Sequence, residues 1–321
     1  MLHLAPRDDD DGDFAEAVLT GLSAPQKVIP ARFFYDTAGS ELFEAITRLP
    51  EYYPTRTEVA ILEGCGPAIA AAVGPGRAVV EFGSGSSAKT PLLLRTVSAS
   101  AYVPIDISAE FLEMAAADLA WKLPELPVFP LAADFTRPLR LPAGIANRAK
   151  LGFFPGSTLG NLAPVAAVDL LRAFGDTLGE KAWLVIGLDL RKDAAALEAA
   201  YNDAAGVTAA FNINLLHRIN RELDGTIDVS AFEHFAPFNA RLGRIEMHLR
   251  AARDVAFTVL GEAFTMAAGE TIHTENSYKW TLDEARLLAR AGGWVPVDVW
   301  TDEAARFALH LWRRDTGALQ P

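Results

Sequence analysis

Apolar runs alternate with amphipathic segments through the middle of this 321-residue chain. Short apolar runs bounded by turn residues are typical of buried strands, and apolar residues spaced three or four apart are typical of helices. The strand candidates are residues 77–83, 101–106, 127–133, 149–155 and 182–190, and the helix candidates are 88–97, 108–122 and 163–178. Strands that alternate with helices predict a parallel sheet covered on both faces, which is an α/β fold.

Helical segments precede this alternation, and one mixed block interrupts it. Residues 14–24 and 40–49 have the pattern of short amphipathic helices, and residues 193–222 are helical before β-like runs in 226–275. A Thr or Ser followed three residues later by Glu is a capping box, which predicts the start of a helix. The two capping boxes are Thr55 with Glu58, before a helix to about Val73, and Thr281 with Glu284. Residues 294–300 and 306–313 then predict a terminal hairpin.

We therefore expect two domains, each built from two separate segments of the chain. A core domain is predicted from residues 57–191 and 280–321, and an inserted α+β domain from residues 12–56 and 192–279. Residues 1–11 are rich in aspartate and lack an apolar pattern, so we predict a disordered tail there.

A glycine-rich loop follows the first predicted strand of the core. Glu81 ends the apolar run, Gly83 and Gly85 follow it, and a helix begins soon afterwards. Backbone N–H groups at such a turn can bind a nucleotide-like ligand. Asp106 ends the next apolar run, where a carboxylate can reach ribose hydroxyls. The sequence therefore predicts a nucleoside cofactor.

Three classes of cofactor compete for this loop. A phosphate-binding P-loop needs glycine where Ala88 stands, and a dinucleotide loop also prefers glycine there. The acid-x-Gly-x-Gly spacing of Glu81, Gly83 and Gly85 fits S-adenosylmethionine (SAM) better, although Ser87 replaces a third glycine. Asp134 and Phe135 follow the third strand, where they either contact an adenine or simply cap a turn and join the core.

The order of elements favours SAM. A final antiparallel hairpin after five α/β units is the arrangement of the class I SAM methyltransferases. We therefore predict an α/β fold of the Rossmann-like kind, with a seven-stranded sheet and the inserted α+β domain.

Composition excludes several other classes of protein. The formal net charge of −12 argues against a nucleic-acid partner. The one cysteine allows no disulfide framework, and no apolar stretch is long enough to span a membrane, so we expect a cytoplasmic chain. The six histidines have no metal-ligand spacing, and we expect no metal. We also expect a monomer.

Several strings together resemble the histidine Nα-methyltransferase family of ergothioneine biosynthesis. The strings are residues 34–36, 48–58, 83–90, 156–162, 201–212, 244–247 and 274–277. They run through nearly the whole chain, and those at 48–58 and 201–212 are long and unusual.

The resemblance implies that the core domain binds SAM and that the inserted α+β domain is a substrate domain. It also implies a role for each of the matching residues. The implied SAM contacts are Gly83, Lys89, Asp106, Asp134 and Phe135. The implied substrate contacts are Tyr52, Asn161 and Tyr201 on the carboxylate, Gly156 beside them, Glu275 and Ser277 on the imidazole, and Met247 packing next to the ring. The implied aromatic neighbours of the reacting amine, which we treat as catalytic, are Tyr35 and Phe43.

The function implied is the conversion of L-histidine to Nα,Nα,Nα-trimethylhistidine by three transfers from SAM. Two alternatives remain open from the sequence. A related enzyme could methylate tryptophan, tyrosine or another amino acid, or the chain could be a non-catalytic SAM-binding module. The sequence also leaves open whether Tyr35 or water accepts the proton of the amine.

Overall fold

A computed structural model describes residues 9–85, 89–107 and 109–314. The chain divides into two compact units. Among the described residues, unit 1 contains those up to Tyr53 and those of Asp193–Ser277, and unit 2 contains those of Pro54–Lys192 and those from Tyr278 onward. The predicted domain boundaries lie within a few residues of these points, while the assignment of SAM and substrate to the units stays a prediction.

The described residues form α-helices, β-strands and short 3-10 helices. The α-helices are α1 (Asp9–Ser23), α2 (Thr37–Ile46), α3 (Pro54–Val73), α4 (Thr90–Thr96), α5 (Ala109–Lys122), α6 (Pro164–Leu178), α7 (Ala194–Tyr201), α8 (Val207–Glu222) and α9 (Leu282–Ala291). The strands are β1 (Lys27–Val28), β2 (Ala78–Phe82), β3 (Ala101–Asp106), β4 (Leu131–Ala132), β5 (Lys150–Phe154), β6 (Trp183–Asp189), β7 (Phe232–Phe235), β8 (Phe238–Asn239), β9 (Arg244–Ala251), β10 (Val255–Val259), β11 (Glu262–Met266), β12 (Thr271–Tyr278), β13 (Trp294–Thr301) and β14 (Phe307–Arg314). The 3-10 helices span Ala31–Phe34, Ala143–Ile145, Thr158–Asn161 and Val229–Ala231.

Unit 2 is built on a sheet that has seven strands among the described residues, in the order β13-β14-β6-β5-β2-β3-β4. Strands β2 to β6 are parallel, and β14 lies antiparallel between β6 and β13. All five residues of β2 are buried, as expected where helices cover both faces. The predicted class I methyltransferase fold is confirmed by this strand order.

The strand order also predicts where a ligand would bind in unit 2. The chain leaves β2 for β3 on one side and later returns to β5 on the other side of β2. Loops that follow the two strands at such a reversal diverge and leave a crevice at the carboxyl ends of the strands. The loop after β2 contains Gly83, and the loop after β5 contains Gly156.

The third predicted strand is much shorter than expected. The sequence predicts a strand over residues 127–133, but β4 contains only two residues, and Val128 makes an isolated bridge to Tyr102. Pro127 and Pro130 cannot donate a hydrogen bond to a neighbouring strand, which restricts this edge of the sheet to short pairings.

Unit 1 combines helices with a mixed sheet, in which β1 pairs in parallel with β12 while β7 and β8 pair antiparallel with β9. Within the described part of the chain, β1, β12, β9 and β7 lie in this order, β8 also pairs with β9, and β10 pairs with β11. Alternate residues of β9 are buried, which places Met247 in the core of the unit with Phe211 of α8. The predicted helix over 193–222 is two helices, because Gly206 adopts a φ of +74° between them.

Two predictions about helix starts near the N-terminus are wrong. Helix α1 begins at Asp9, so residues 9–11 are not a disordered tail, and residues 1–8 lie outside the described residues. Acidic residues are favoured in a first helical turn by the helix dipole. Helix α3 begins at Pro54, so Thr55 is not its cap. The capping box of Thr281 and Glu284 is confirmed at the start of α9.

A helix that crosses a bilayer must be both long and apolar. None of the helices formed by the described residues meets both conditions.

Candidate functional site

The glycine-rich loop of unit 2 is fixed at its first residues by the neighbouring strand. The N–H groups of Gly83 and Ser84 both donate to the Ile105 carbonyl, at 2.8 and 3.1 Å. Gly83 has a φ of +68°, which a residue with a side chain rarely adopts. The N–H of Gly85 donates to Asp106 Oδ2 at 3.1 Å. The structure therefore places the predicted ribose-binding carboxylate directly beside the loop.

The far end of the same loop is held by the acid that precedes it. Glu81 is fully buried, and its Oε2 accepts hydrogen bonds from the hydroxyls of Thr90 at 2.7 Å and Tyr102 at 2.6 Å. Burial, together with the Glu81 charge, raises the pKa of Tyr102 well above its ordinary value. The acid of the acid-x-Gly-x-Gly motif therefore supports the loop from inside the sheet. Residues 86–88 lie outside the described residues.

A second buried carboxylate, Glu58, connects this loop to the one after β5. Glu58 has no exposed surface and forms an ion pair with Lys89. Both of its oxygens also accept from the N–H of Gly156, at 2.9 and 3.1 Å. The sequence pattern hides this role, because the spacing from Thr55 assigns Glu58 to a capping box. The only signal available was its place in the unusual string 48–58.

Asp134 and Phe135 follow β4 as predicted. Asp134 is exposed, and its Oδ1 accepts from the N–H of Thr136 at 2.9 Å. The ring of Phe135 is half-buried, and an added Cβ on Gly83 would lie 3.5 Å from it. Phe135 thus lies beside the glycine loop, and its contact with an adenine stays a prediction.

The loop after β5 carries Gly156 and Asn161. Gly156 and Ser157 both have positive φ, +80° and +60°, and a 3-10 turn ends at half-buried Asn161. Ser157 Oγ accepts from the N–H of Asp189 at 2.8 Å. The buried Asp189 carboxylate contacts the ammonium groups of Lys192 at 2.6 Å and Lys279 at 2.9 Å. Burial lowers the pKa of Lys192 to about 8.

Four of the predicted residues of unit 1 form a continuous series of aromatic rings, here called the aromatic row. Ring centroids are 5.7 Å apart for Tyr35 and Phe43, 6.5 Å for Phe43 and Tyr52, and 6.4 Å for Tyr52 and Tyr201. All three pairs meet edge to face, which is a favourable geometry for aromatic rings. At one end of the row, Tyr35 is 39% exposed.

The other end of the aromatic row is held by neutral hydrogen bonds. The hydroxyls of Tyr201 and Ser277 lie 2.7 Å apart, and both side chains are buried. The Tyr201 carbonyl accepts from His234 Nε2–H at 2.7 Å, and His234 Nδ1 accepts from the Asn212 amide at 2.9 Å. This pattern requires the neutral imidazole, and burial lowers the pKa of His234 accordingly.

Glu275 and Ser277 occupy alternate positions on β12, so regular strand geometry turns both toward one face. Glu275 is half-buried, and its carbonyl accepts from His273 Nε2–H at 3.1 Å. Met247 is 2% exposed and lies in the core of unit 1, where its carbonyl accepts from the Thr274 hydroxyl at 3.0 Å.

Within each unit, the structure brings some of the predicted residues together. In unit 1, the aromatic row joins Ser277 through Tyr201, whereas Met247 is a core residue. In unit 2, Asp106 and Phe135 adjoin the glycine loop, while Lys89 and Gly156 share Glu58. The described residues hold no group of three or more His, Cys, Asp or Glu arranged to bind a metal. Sequence reasoning missed Glu58, His234 and Asn212, whose partners are all distant in sequence.

Comparison with known proteins identifies one family. A family model described as histidine-specific methyltransferase, SAM-dependent, matches residues 14–314.

Relatives of known function include two mycobacterial proteins, each named histidine N-alpha-methyltransferase. The one from Mycolicibacterium smegmatis is 41% identical over 300 residues, covering 92% of each chain. The one from Mycobacterium tuberculosis is 40% identical over 316 residues, covering 96% of this chain and 95% of the relative. Ergothioneine biosynthesis protein 1 of Neurospora crassa is 30% identical over 296 residues, which cover 88% of this chain and 33% of that longer protein.

Among solved structures, the similarity is much weaker. The magnesium protoporphyrin IX methyltransferase of Synechocystis has a TM-score of 0.48 at 9% identity, covering 89% of this chain and 98% of that chain. The CcbJ methyltransferase of Streptomyces caelestis has a TM-score of 0.46 at 14% identity, covering 79% of this chain and 95% of that chain. The fold assignment therefore depends on the strand order of unit 2.

Proposed function

The chain belongs to the family of histidine-specific, SAM-dependent methyltransferases, and we propose from this premise that it methylates the α-amine of L-histidine three times. The product would be Nα,Nα,Nα-trimethylhistidine, or hercynine, which leads toward ergothioneine. The observation that carries the proposal is the 40–41% identity to two histidine N-alpha-methyltransferases over more than nine-tenths of each chain.

We assign SAM binding to unit 2. The residues proposed for it are Gly83, Lys89, Asp106, Asp134 and Phe135. The left-handed backbone at Gly83 and the carboxylate of Asp106 beside Gly85 support this assignment, since such a loop and acid suit an adenosine group. When bound, SAM supplies an electrophilic methyl group on a sulfonium, and transfer of that methyl to nitrogen releases S-adenosylhomocysteine.

The substrate carboxylate is assigned to neutral donors. We propose that the hydroxyls of Tyr52 and Tyr201 and the amide of Asn161 donate hydrogen bonds to it, next to Gly156. The edge-to-face contact between Tyr52 and Tyr201 supports this assignment, because it restricts both rings.

The imidazole of the substrate is assigned to Glu275 and Ser277, with Met247 packing nearby. The Glu275 carboxylate would accept a hydrogen bond from a ring N–H, and the Ser277 hydroxyl would bond the ring beside it. The bond between Ser277 and Tyr201 supports this arrangement, since it ties the proposed imidazole contact to the proposed carboxylate contact.

The residues of this chain would act mainly by positioning. A neutral amine attacks the methyl carbon in line, so the N–C bond forms as the S–C bond breaks, and holding the reactants in place lowers the barrier. The nitrogen must lose a proton before each later attack. Tyr35 and Phe43 present aromatic surface that would attract the quaternary ammonium of the product. That the chain is monomeric and cytoplasmic stays a prediction.

Product masses test this proposal. Purified protein would be incubated with SAM and each of the twenty amino acids, and the products read by mass spectrometry. We expect mono-, di- and trimethylated histidine. Preferred methylation of tryptophan or tyrosine would overturn the substrate assignment, and turnover of no amine would overturn the enzymatic one.

A substitution of Glu275 tests the imidazole assignment. Glu275→Ala should raise the KM for histidine by roughly 10- to 150-fold, which corresponds to the loss of a hydrogen bond to a charged group of about 1.5–3 kcal/mol. The matched control is Glu262→Ala, at an exposed position on β11 of the same unit. Equal KM values for the two variants would contradict a role for Glu275 in reading the ring.

A further inference from the structure

The buried side chain of Glu58, on α3, contacts both loops at the strand reversal. It pairs with Lys89 at the end of the glycine loop, and it accepts from the N–H of Gly156 in the loop after β5. These three residues belong to unit 2. One buried carboxylate thus joins a residue proposed to contact SAM to a residue proposed to lie beside the substrate carboxylate.

The fold leaves space for this carboxylate at one glycine of β6. A Cβ added to Gly187 would lie 2.0 Å from Glu58 Oε1, so a side chain there would displace the carboxylate. Gly156 contributes a φ of +80°, a conformation that glycine adopts readily and other residues avoid. A glycine of β6 and a glycine that follows the neighbouring parallel strand β5 therefore accommodate one acidic side chain.

The energetics favour a positioning role. Burying two charges is expensive, and replacing a buried ion pair with apolar residues of similar volume is often neutral or stabilising. Stability alone therefore gives little reason to keep Glu58 and Lys89 charged. A fixed spacing between the two loops gives a reason, because methyl transfer requires donor and acceptor in line.

We propose that Glu58 is a positioning residue that couples the two loops, so that Lys89 and Gly156 move together. This inference rests on the proposed function for its kinetic consequence, while the coupling itself is a property of the protein alone. Loss of the carboxylate should misalign the reactants more than it weakens the binding of either one.

Kinetics provide the first test. In Glu58→Gln, kcat should fall on the order of ten- to a hundredfold, with smaller changes in the KM for SAM and for histidine. The control is Trp294→Phe, which removes a buried bond from Trp294 Nε1–H to the Leu171 carbonyl away from both loops. The Trp294→Phe variant should have a lower free energy of unfolding but the same kcat as the wild type. A folded Glu58→Gln variant with the kcat of the wild type would overturn the proposal.

Hydrogen–deuterium exchange provides a second test that does not depend on activity. Lys89→Met should speed amide exchange in residues 156–161, although the substitution lies in the other loop. If the Glu58→Gln variant does not fold, Glu58→Asp replaces it, because aspartate keeps the charge on a shorter side chain. The Glu58→Asp variant should speed amide exchange in both loops. If Lys89→Met speeds exchange only around position 89, the coupling is wrong. If the wild type methylates no amine, the proposed function fails, and the exchange experiment still decides the coupling.

Discussion

The two units hold their proposed site residues in different ways. In unit 2, the buried carboxylates of Glu58 and Glu81 anchor the loops at the strand reversal, and the buried carboxylate of Asp189 holds two lysines nearby. In unit 1, the aromatic row is held by ring contacts and by neutral hydrogen bonds such as that between Tyr201 and Ser277. A buried charge requires compensating partners, whereas a neutral contact can be lost at smaller cost. Single substitutions should therefore be far more damaging at the anchors of unit 2.

The largest effect is expected at Asp189. Asp189→Asn removes the negative charge that contacts the buried ammonium groups of Lys192 and Lys279. We expect the free energy of unfolding to fall by about 3–5 kcal/mol, as for other broken buried pairs. Urea unfolding of the wild type and the variant measures this.

The matched control for that experiment is Asp169→Asn, which breaks an exposed ion pair with Arg172. An exposed pair contributes only about 0–1 kcal/mol. Similar losses for the two variants would contradict the view that burial makes the difference.

The second effect concerns pH and His310 in unit 2. Burial lowers the pKa of His310 from 6.5 to about 4, so the folded chain binds this proton less readily than the unfolded chain. The stability that neutral, buried His310 contributes is therefore fully present above pH 6.5. It is lost as the pH falls toward 4, because the unfolded chain then binds a proton that the folded chain does not. A shift of this size corresponds to about 3 kcal/mol.

Urea unfolding at several pH values from about 4 to about 7 tests this, with His310→Leu as the comparison. The variant should lose less stability on acidification than the wild type. Some loss should remain, because burial also lowers the pKa values of His234, His248 and His273 in unit 1. Parallel curves for the two proteins would show that His310 does not contribute.

A third effect compares two glycines of unit 2. Gly187→Ala would place a Cβ 2.0 Å from Glu58 Oε1, and such overpacking costs about 1–3 kcal/mol. Gly64→Ala, at an exposed position of α3 with no atom within 4 Å of the new Cβ, should instead stabilise by about 0.5–1 kcal/mol. Thermal unfolding measures both. A destabilised Gly64→Ala would show that the substitution itself, rather than Glu58, is responsible.

The smallest effect is expected in unit 1. Ser277→Ala and Tyr201→Phe each remove the same neutral hydrogen bond, worth about 0.5–1.5 kcal/mol. The double variant should lose less stability than the two single variants added together, because the bond can be lost only once. Strict additivity would mean that the two hydroxyls do not interact in solution.

Local pattern is sufficient to predict most of the fold. The apolar runs at β2, β3, β5 and β6 and the terminal hairpin of β13 and β14 all follow from the sequence. Periodicity and turn residues are local properties, so they can be read without knowledge of the tertiary structure. The errors arise where a second local property of the sequence opposes the structure that its apolar pattern predicts. Prolines shorten the third strand, and an acidic run joins a helix rather than a tail.

In the candidate site, too, local sequence features can be predicted and long-range contacts cannot. Residue types, motif spacing and family resemblance single out Gly83, Asp106 and Glu275 from the sequence alone. The order of the elements and the kind of ligand to expect can thus be read from the sequence. The contacts of Glu58 with Lys89, 31 positions away, and with Gly156, 98 positions away, are visible only in the folded chain. A buried charge is compensated by whichever partners the fold brings beside it, and spacing along the chain carries no information about such distant contacts.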